Sequence, residues 1–181
     1  MGVFEYLGVL ISVIMGLGIA GHETTTNLLT NAMRLLLDHR EQWEQLCDDP
    51  SLIPGAVEEA LRFDSSVNAW RRLALTDVDL GDGVVLPEGA RILVLLGSGN
   101  RDGAEFDEPD RFDISRQDAR RHLSFGKGIH YCLGAPLARL EARVVLEEIT
   151  RRAPEIQPVA HDLEYAPIIS FRGPKELWLT H

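Results

Sequence analysis

The longest apolar run of the chain lies near its beginning. Residues 6–21 have the sequence YLGVLISVIMGLGIAG, in which only Ser12 is polar. The run has no basic leader and is shorter than the ~20 apolar residues that a membrane span requires. We therefore predict a helix buried on all sides in a large protein, continuing to about residue 38. Such a helix needs more surrounding protein than this chain obviously supplies.

The rest of the pattern predicts short helices and short strands. Two amphipathic segments, REQWEQLCD and PGAVEEALRF, are helical in pattern, and Pro54 suits the first turn of the second. Between residues 67 and 96, β-like runs are separated by GDG and PEG turns. Residues 98–123 are loop-like, a strong helix covers about 134–152, and the tail alternates short strands with prolines. The predicted fold class is α+β and mainly helical.

Composition and charge exclude several classes of protein. Of the 181 residues, 45% are apolar and 25% are charged, which is ordinary for a folded soluble protein. A net charge of −10 argues against general nucleic-acid binding, because that requires a basic surface. The two cysteines, Cys47 and Cys132, are too few for a disulfide scaffold, and a bridge between them is not expected. We therefore expect a reducing, cytoplasmic setting and no membrane attachment.

Cys132 lies in a glycine-rich loop just before the last helix. The unpaired N–H groups and the dipole of a helix N-terminus favour a thiolate, and the glycines allow the backbone close to a flat, bulky group. This suits a soft metal ligand. Zinc is a poor candidate because Cys132 and His130 give only two ligands. A cysteine nucleophile with His130 as its base, and an inert buried cysteine, are the other interpretations.

The segment FGKGIHYCLG resembles the haem-binding loop of the cytochrome P-450 family, Phe-Gly-x-Gly-x-His-x-Cys-x-Gly, at every fixed position. The resemblance implies haem b as the cofactor, with Cys132 as its axial iron ligand. It also implies that His130 meets a haem propionate, that Phe125 shields the sulfur, and that Gly126 and Gly128 shape the loop. An axial thiolate pushes electron density onto iron and favours O–O cleavage.

The segment AGHETT lies within the predicted first helix, where each glycine costs about 1 kcal/mol relative to Ala. On its own, the segment is explained by a helix crossing with Glu23 pointing to solvent. In the family, a similar segment marks the distal helix above the haem, and Ala20, Gly21, Glu23 and Thr24 match it. The resemblance implies that Thr24 steadies bound dioxygen and that Glu23 delivers protons through water.

Two further features resemble the family. Glu59 and Arg62 have the spacing of its Glu-x-x-Arg pair, which alone would be a commonplace helix pair. The resemblance implies that this pair forms a buried structural network with Arg111, the arginine of PDRF, behind the cysteine segment. Arg72 resembles the strand arginine that binds a propionate, and Arg71 is its less favoured neighbour.

The resemblance covers nearly the whole chain, residues 1–181, as a partial domain that starts at the distal helix and lacks the N-terminal half of the family fold. It is greatest to soluble bacterial members. It implies a haem-thiolate monooxygenase that inserts one atom of O2 into a small hydrophobic organic substrate. The alternative is a truncated, inactive fragment with weak or no haem binding.

A cluster of basic residues suggests a redox partner. Six basic and two acidic residues give a local charge of +4: Arg116, Arg120, Arg121, Lys127, Arg139 and Arg143 against Asp118 and Glu141. A basic face would suit an acidic electron donor such as a ferredoxin, itself reduced by an NAD(P)H-dependent reductase. Arginines scattered for solubility are the other interpretation.

Overall fold

The computed structural model describes residues 3–180, with side chains from residue 4 onward. Five α-helices account for most of its regular structure: α1 (Val3–Asp38), α2 (Arg40–Asp48), α3 (Ile53–Phe63), α4 (Leu96–Gly99) and α5 (Ala135–Arg152). Short 3-10 turns cover Pro50–Leu52, Ala119–Arg121 and Gly128–His130. The strands are β1 (Ala69–Leu73), β2 (Val78–Asp79), β3 (Val85–Leu86), β4 (Arg91–Leu95), β5 (Gln157–Pro158) and β6 (Leu179–Thr180).

Helix α1 has two halves with different surroundings. From Leu28 onward, its apolar residues recur at the spacing of one helix face, and Leu28, Ala32 and Leu36 are fully buried. Before Thr24, the whole helix surface is exposed, although nearly every residue in that part is apolar. The helix was predicted correctly, but the described part of the chain does not bury its first half. By length and composition, α1 could cross a membrane, a test that soluble core helices also pass.

A single hydrophobic core joins the second half of α1 to α2, α3 and α5. The indole of Trp43 is fully buried and donates a hydrogen bond of 2.8 Å to the carbonyl oxygen of Pro154. Leu146 of α5 and Val57 of α3 belong to the same cluster, together with Phe112 from the long loop between α4 and α5. This packing fixes α3 and α5, the two helices that flank the cysteine loop described below.

Within residues 3–180, three two-stranded antiparallel sheets lie outside the helical core. Strands β1 and β4 pair over five residues, with Ala69 opposite Leu95 and Arg72 opposite Ile92. Strands β2 and β3 form a hairpin, and β5 pairs with β6 near the end of the chain. The mainly helical α+β class predicted from the pattern is confirmed.

Candidate functional site

The cysteine loop, residues 124–134, connects the long loop to α5. Gly126 and Gly128 have φ angles of +71° and +70°, a region that other residues adopt only with strain. The backbone N–H of Cys132 donates to the carbonyl oxygen of Phe125 at 2.9 Å, and the Tyr131 N–H donates to the Gly128 oxygen at 3.0 Å. These bonds close the segment between the glycines and α5 into a compact turn.

The surface around Cys132 is unusually apolar for an exposed loop. Cys132 is a free, exposed thiol, and the side chains of Ile129 and Leu133 on either side of it are 97% and 96% exposed. His130 is also exposed. A soft sulfur ligand framed by apolar side chains and one imidazole fits a flat, apolar, iron-containing group such as haem. The residues at this loop therefore suit the cofactor that the sequence resemblance implies.

Glu59 and Arg62 of α3 form a fully buried ion pair. Arg62 Nε and Nη2 donate to the two oxygens of Glu59 at 2.7 and 2.8 Å, and both side chains are 0% exposed. The remaining Arg62 hydrogens reach three carbonyl oxygens of the long loop, those of Asn100, Pro109 and Arg111. Because every partner is fixed, the pair holds this loop against α3.

The prediction that the Arg111 side chain joins this buried network is wrong. That side chain is 61% exposed and pairs with Glu108 and Asp113, and only its carbonyl oxygen faces Arg62. Besides that of Arg62, the guanidinium next to Glu59 is that of Arg116, which is 9% exposed and lies 3.4 Å away. The backbone at residue 111 turns its oxygen toward Arg62, which directs the side chain outward.

The network reaches the cysteine loop through Asn100, a residue that the sequence patterns did not single out. Arg62 donates to the Asn100 carbonyl oxygen, while the Asn100 side chain accepts from the Leu123 N–H at 2.6 Å and donates to Ser124 Oγ at 2.9 Å. Ser124 Oγ in turn donates to the Leu61 oxygen of α3. The ion pair is thus connected to Ser124, the first residue of the cysteine loop, through one buried residue, Asn100.

The residues of the AGHETT segment lie in the continuous α-helix α1. Thr24 Oγ1 donates to the Ala20 oxygen at 2.6 Å, and Glu23 is exposed. A Cβ added at Gly21 would meet nothing within 4 Å, so the described part of the chain does not itself require a glycine there. Among residues 3–180, no hydrogen bond or ion pair joins Thr24 or Glu23 to Cys132.

Arg72 lies on β1 and is exposed, as is its neighbour Arg71. Since successive side chains of a strand point to opposite faces, only one of the two arginines can serve a given site. Arg72 Nη1 donates to the Arg71 carbonyl oxygen at 2.9 Å. The Arg72 guanidinium is exposed and keeps hydrogens for a further partner.

The other interpretations of Cys132 gain no support. Cys47 and Cys132 are both free, so no disulfide joins them. Within the described residues, no group of three or more His, Cys, Asp or Glu side chains could hold a metal ion, which disfavours a zinc site. No hydrogen bond connects His130 to the Cys132 sulfur in that same part of the chain, as a cysteine nucleophile with a histidine base would require.

Comparison with known proteins identifies a family. The family model described as cytochrome P450 matches residues 9–152. Cytochrome P450 107B1 of Saccharopolyspora erythraea is 45% identical over 173 residues, covering 94% of this chain and 42% of the relative. The crystal structure of the Tepidiphilus thermophilus P450 heme domain superposes with a TM-score of 0.90 at 44% identity, over 93% of this chain and 40% of that one.

An intact type IV self-sufficient cytochrome P450 monooxygenase also superposes, with a TM-score of 0.90 at 49% identity, over 94% of this chain and 22% of that one. The chain spans about two fifths of the length of its relative cytochrome P450 107B1. The family match covers the cysteine loop, the Glu59–Arg62 pair and the AGHETT segment together. On this evidence, the chain belongs to the cytochrome P450 family.

Proposed function

We propose that this chain forms the haem-binding and oxygen-activating part of a haem-thiolate monooxygenase. The reaction would insert one atom of O2 into a C–H bond of a small hydrophobic organic molecule and reduce the other atom to water, using two electrons and two protons. The observation that supports this most is the exposed sulfur of Cys132, held on a hydrogen-bonded glycine loop and framed by Ile129 and Leu133.

Haem b with a cysteine thiolate is the cofactor of the family, and it would supply the iron at which O2 is reduced. In this chain Cys132 would provide the sulfur that holds the iron, while Ile129 and Leu133 would exclude water around it. Arg72 and His130 would pair with the carboxylates of the cofactor. The carbonyl oxygen of Phe125 accepts the hydrogen bond from the Cys132 N–H. The Phe125 side chain would shield the sulfur.

Thr24 and Glu23 would transfer protons. The Thr24 hydroxyl donates its own hydrogen to the Ala20 oxygen, so its oxygen remains an acceptor for a water molecule. The carboxylate of Glu23 is exposed and can take up a proton from solvent. A water between these two side chains would let a proton pass from Glu23 Oε to Thr24 Oγ1.

Electrons would come from a redox partner in the cytoplasm. We propose a ferredoxin-type donor with its NAD(P)H-dependent reductase, because Lys127 is exposed on the cysteine loop and the Arg120 side chain is 77% exposed four residues before that loop. Five of the six basic residues of the predicted basic face pair with acids outside residues 116–143: Arg116 with Glu59, Arg120 and Arg139 with Glu58, Arg121 with Glu105, and Arg143 with Glu147. The docking charge is therefore smaller than the local count of +4 suggests.

A second candidate is an inactive fragment that binds haem weakly or not at all. The observation that favours it is the exposed first half of α1, together with the two-fifths coverage of the relatives. Exposed apolar surface of this extent favours association or loose packing over a stable cofactor site.

Haem titration separates the two candidates. The chain is titrated with haem and followed by absorption, and the same is done with Cys132→Ala and, as a matched control, Cys47→Ala, since Cys47 is half-buried on α2. The proposal predicts one haem per chain for the wild type and the Cys47 variant, and loss of the thiolate-type spectrum in the Cys132 variant. Equal spectra for all three proteins would overturn it, and no binding by any would favour the inactive fragment.

A further inference from the structure

Glu58, the neighbour of Glu59 on α3, lies at the centre of a separate buried cluster. Its side chain is 4% exposed and faces α5 and the long loop. Arg139 of α5 donates to Glu58 Oε1 from Nε at 2.7 Å and to Oε2 from Nη2 at 3.0 Å. His122, whose side chain is 2% exposed, lies 3.1 Å from Glu58 Oε2 through Nε2. The Glu58 carboxylate thus joins α5, through Arg139, to the long loop, through His122.

The hydrogen bonds determine the tautomer of His122. Its Nδ1 accepts the backbone N–H of Ser124 at 3.1 Å, so that nitrogen has no hydrogen. The hydrogen is therefore on Nε2, which donates to Glu58. Because Ser124 is the first residue of the cysteine loop, Glu58 holds the start of that loop through one imidazole.

Arg139 holds the other side of the loop. Its guanidinium carbon lies 4.5 Å from the centre of the Phe125 ring, and Nη1 donates to the Tyr131 hydroxyl at 3.2 Å. The two rings meet edge to face with their centres 6.4 Å apart. Phe125 accepts the Cys132 N–H through its carbonyl oxygen, and Tyr131 precedes Cys132 in the chain. Arg139 therefore contacts both residues that fix the backbone of Cys132.

We infer that Glu58, Arg139 and His122, the loop clamp, are positioning residues that hold the backbone of Cys132 in one conformation through Phe125, Tyr131 and Ser124. This deepens the proposed function, since it gives the ligand sulfur a fixed direction on which iron ligation depends. None of the three side chains contacts the sulfur itself. They act through the loop.

The charge of Glu58 supports the clamp. Burial alone raises the pKa of this carboxyl, but the hydrogen bonds from His122 and Arg139 outweigh burial and lower the pKa from 4.5 to about 2. The hydrogen bonds that Arg139 donates to Glu58 in turn raise the pKa of Arg139. The pair is therefore fully ionised at neutral pH, and an ionised bidentate pair is directional and strong.

The test uses Glu58→Gln and Arg139→Gln, with Arg143→Gln as a matched control. Arg143 lies one turn further along α5 and pairs with Glu147 at the surface, with 53% of its side chain exposed. Two readouts are measured on the full chain: hydrogen exchange of the Cys132 and Tyr131 amides, and the absorption spectrum of the haem-loaded protein. Amide exchange does not need haem, so a failure of the clamp is distinguishable from a failure of haem binding.

The clamp predicts exchange of the Cys132 and Tyr131 amides at least about tenfold faster in Glu58→Gln and Arg139→Gln, with Arg143→Gln unchanged. In the haem-loaded variants, part of the thiolate-type absorption should be lost. Arg139→Lys keeps the charge but loses the planar guanidinium. Its rates of amide exchange at Cys132 and Tyr131 should therefore lie between those of wild type and Arg139→Gln. It also provides a milder variant if Arg139→Gln does not fold.

Two results would overturn the clamp. One is unchanged exchange at Cys132 and Tyr131 in folded variants whose overall stability has fallen, because this would show that the cluster only joins α3 to α5. The other is an equal effect of Arg143→Gln, because this would show that any lost charge on α5 loosens the loop.

Discussion

Arg62 donates two hydrogen bonds to Glu59, at 2.7 and 2.8 Å, from a position where neither side chain is exposed to solvent. Burying two charges is costly unless all their hydrogen-bonding groups are satisfied. Here the remaining hydrogens of Arg62 reach carbonyl oxygens of the long loop, and Glu59 Oε1 also accepts the Asp113 N–H at 3.0 Å. The pair therefore organises the loop as well as α3.

Removing either side chain of the Glu59–Arg62 pair should strongly destabilise the fold. Arg62→Ala leaves the Glu59 carboxylate buried without its main partner, and we expect the free energy of unfolding to fall by about 3–5 kcal/mol. Urea denaturation followed by circular dichroism measures this change. A loss below about 1 kcal/mol would mean that water reaches Glu59 in the variant and that the site is not closed.

Arg116 and Arg111 should differ sharply in their effect on stability. Arg116→Gln removes a 9% exposed guanidinium that donates to the carbonyl oxygens of Asp107 and Glu108, and we expect a loss of about 2 kcal/mol. Arg111→Gln removes a largely exposed side chain and should change stability by less than about 0.5 kcal/mol. Parallel urea melts compare the two. A larger loss of stability in Arg111→Gln than in Arg116→Gln would mean that the Arg111 side chain does belong to the buried network.

These two arginines show what sequence patterns can and cannot predict here. The Glu59–Arg62 spacing predicts a pair on one helix face because the helical period fixes it. Whether Arg111 or Arg116 completes the network depends on the path of an irregular loop, for which no period exists. The pairing of Glu58 with Arg139 was missed for a similar reason, although two adjacent glutamates in the otherwise apolar VEEAL segment are a visible sign of buried charge.

The first half of α1 shows a different limit. Its composition predicts a helix, and the helix is present from Val3. Composition also predicts burial, but burial depends on which other elements pack against the helix, and the described part of the chain places none there. The left-handed backbone of the cysteine loop was predictable because Gly126 and Gly128 occupy fixed motif positions.

Glu58 should make stability depend on pH in the acid range. Its folded-state pKa of about 2 lies below the ordinary 4.5, so its contribution is complete above about pH 4.5 and is lost as the pH falls toward 2. We expect the difference in unfolding free energy between wild type and Glu58→Gln to shrink by about 2–3 kcal/mol over that window. Urea melts at a series of pH values measure it. A constant difference from pH 6 to pH 2 would contradict the lowered pKa.

Gly126 should be intolerant of a side chain. Its φ of +71° disfavours any residue with a Cβ, and that Cβ would lie 3.4 Å from the His130 carbonyl oxygen. We expect Gly126→Ala to cost about 1–2 kcal/mol and to weaken haem retention. Gly103→Ala is the control, since a Cβ there meets nothing within 4 Å. Melting curves and haem titrations should separate the two variants, and equal behaviour would count against a strained loop.

The exposed apolar half of α1 should cause self-association. Ile11, Ile14 and Leu17 are all more than half exposed on this helix, and water-exposed apolar surface of this extent favours association. Sedimentation velocity should show larger species as the protein concentration rises, and Ile14→Lys should shift the distribution toward monomer. A monomer at every concentration would show that this surface is covered in solution.

The proposed function depends on the sulfur of Cys132 binding the iron of haem. Its most direct test is the absorption spectrum of the haem-loaded chain after reduction and exposure to carbon monoxide, compared with Cys132→Ser. We expect the band position typical of thiolate-ligated haem in the wild type and its disappearance in the variant. A band typical of histidine ligation in the wild type, or a spectrum that the substitution leaves unchanged, would contradict it.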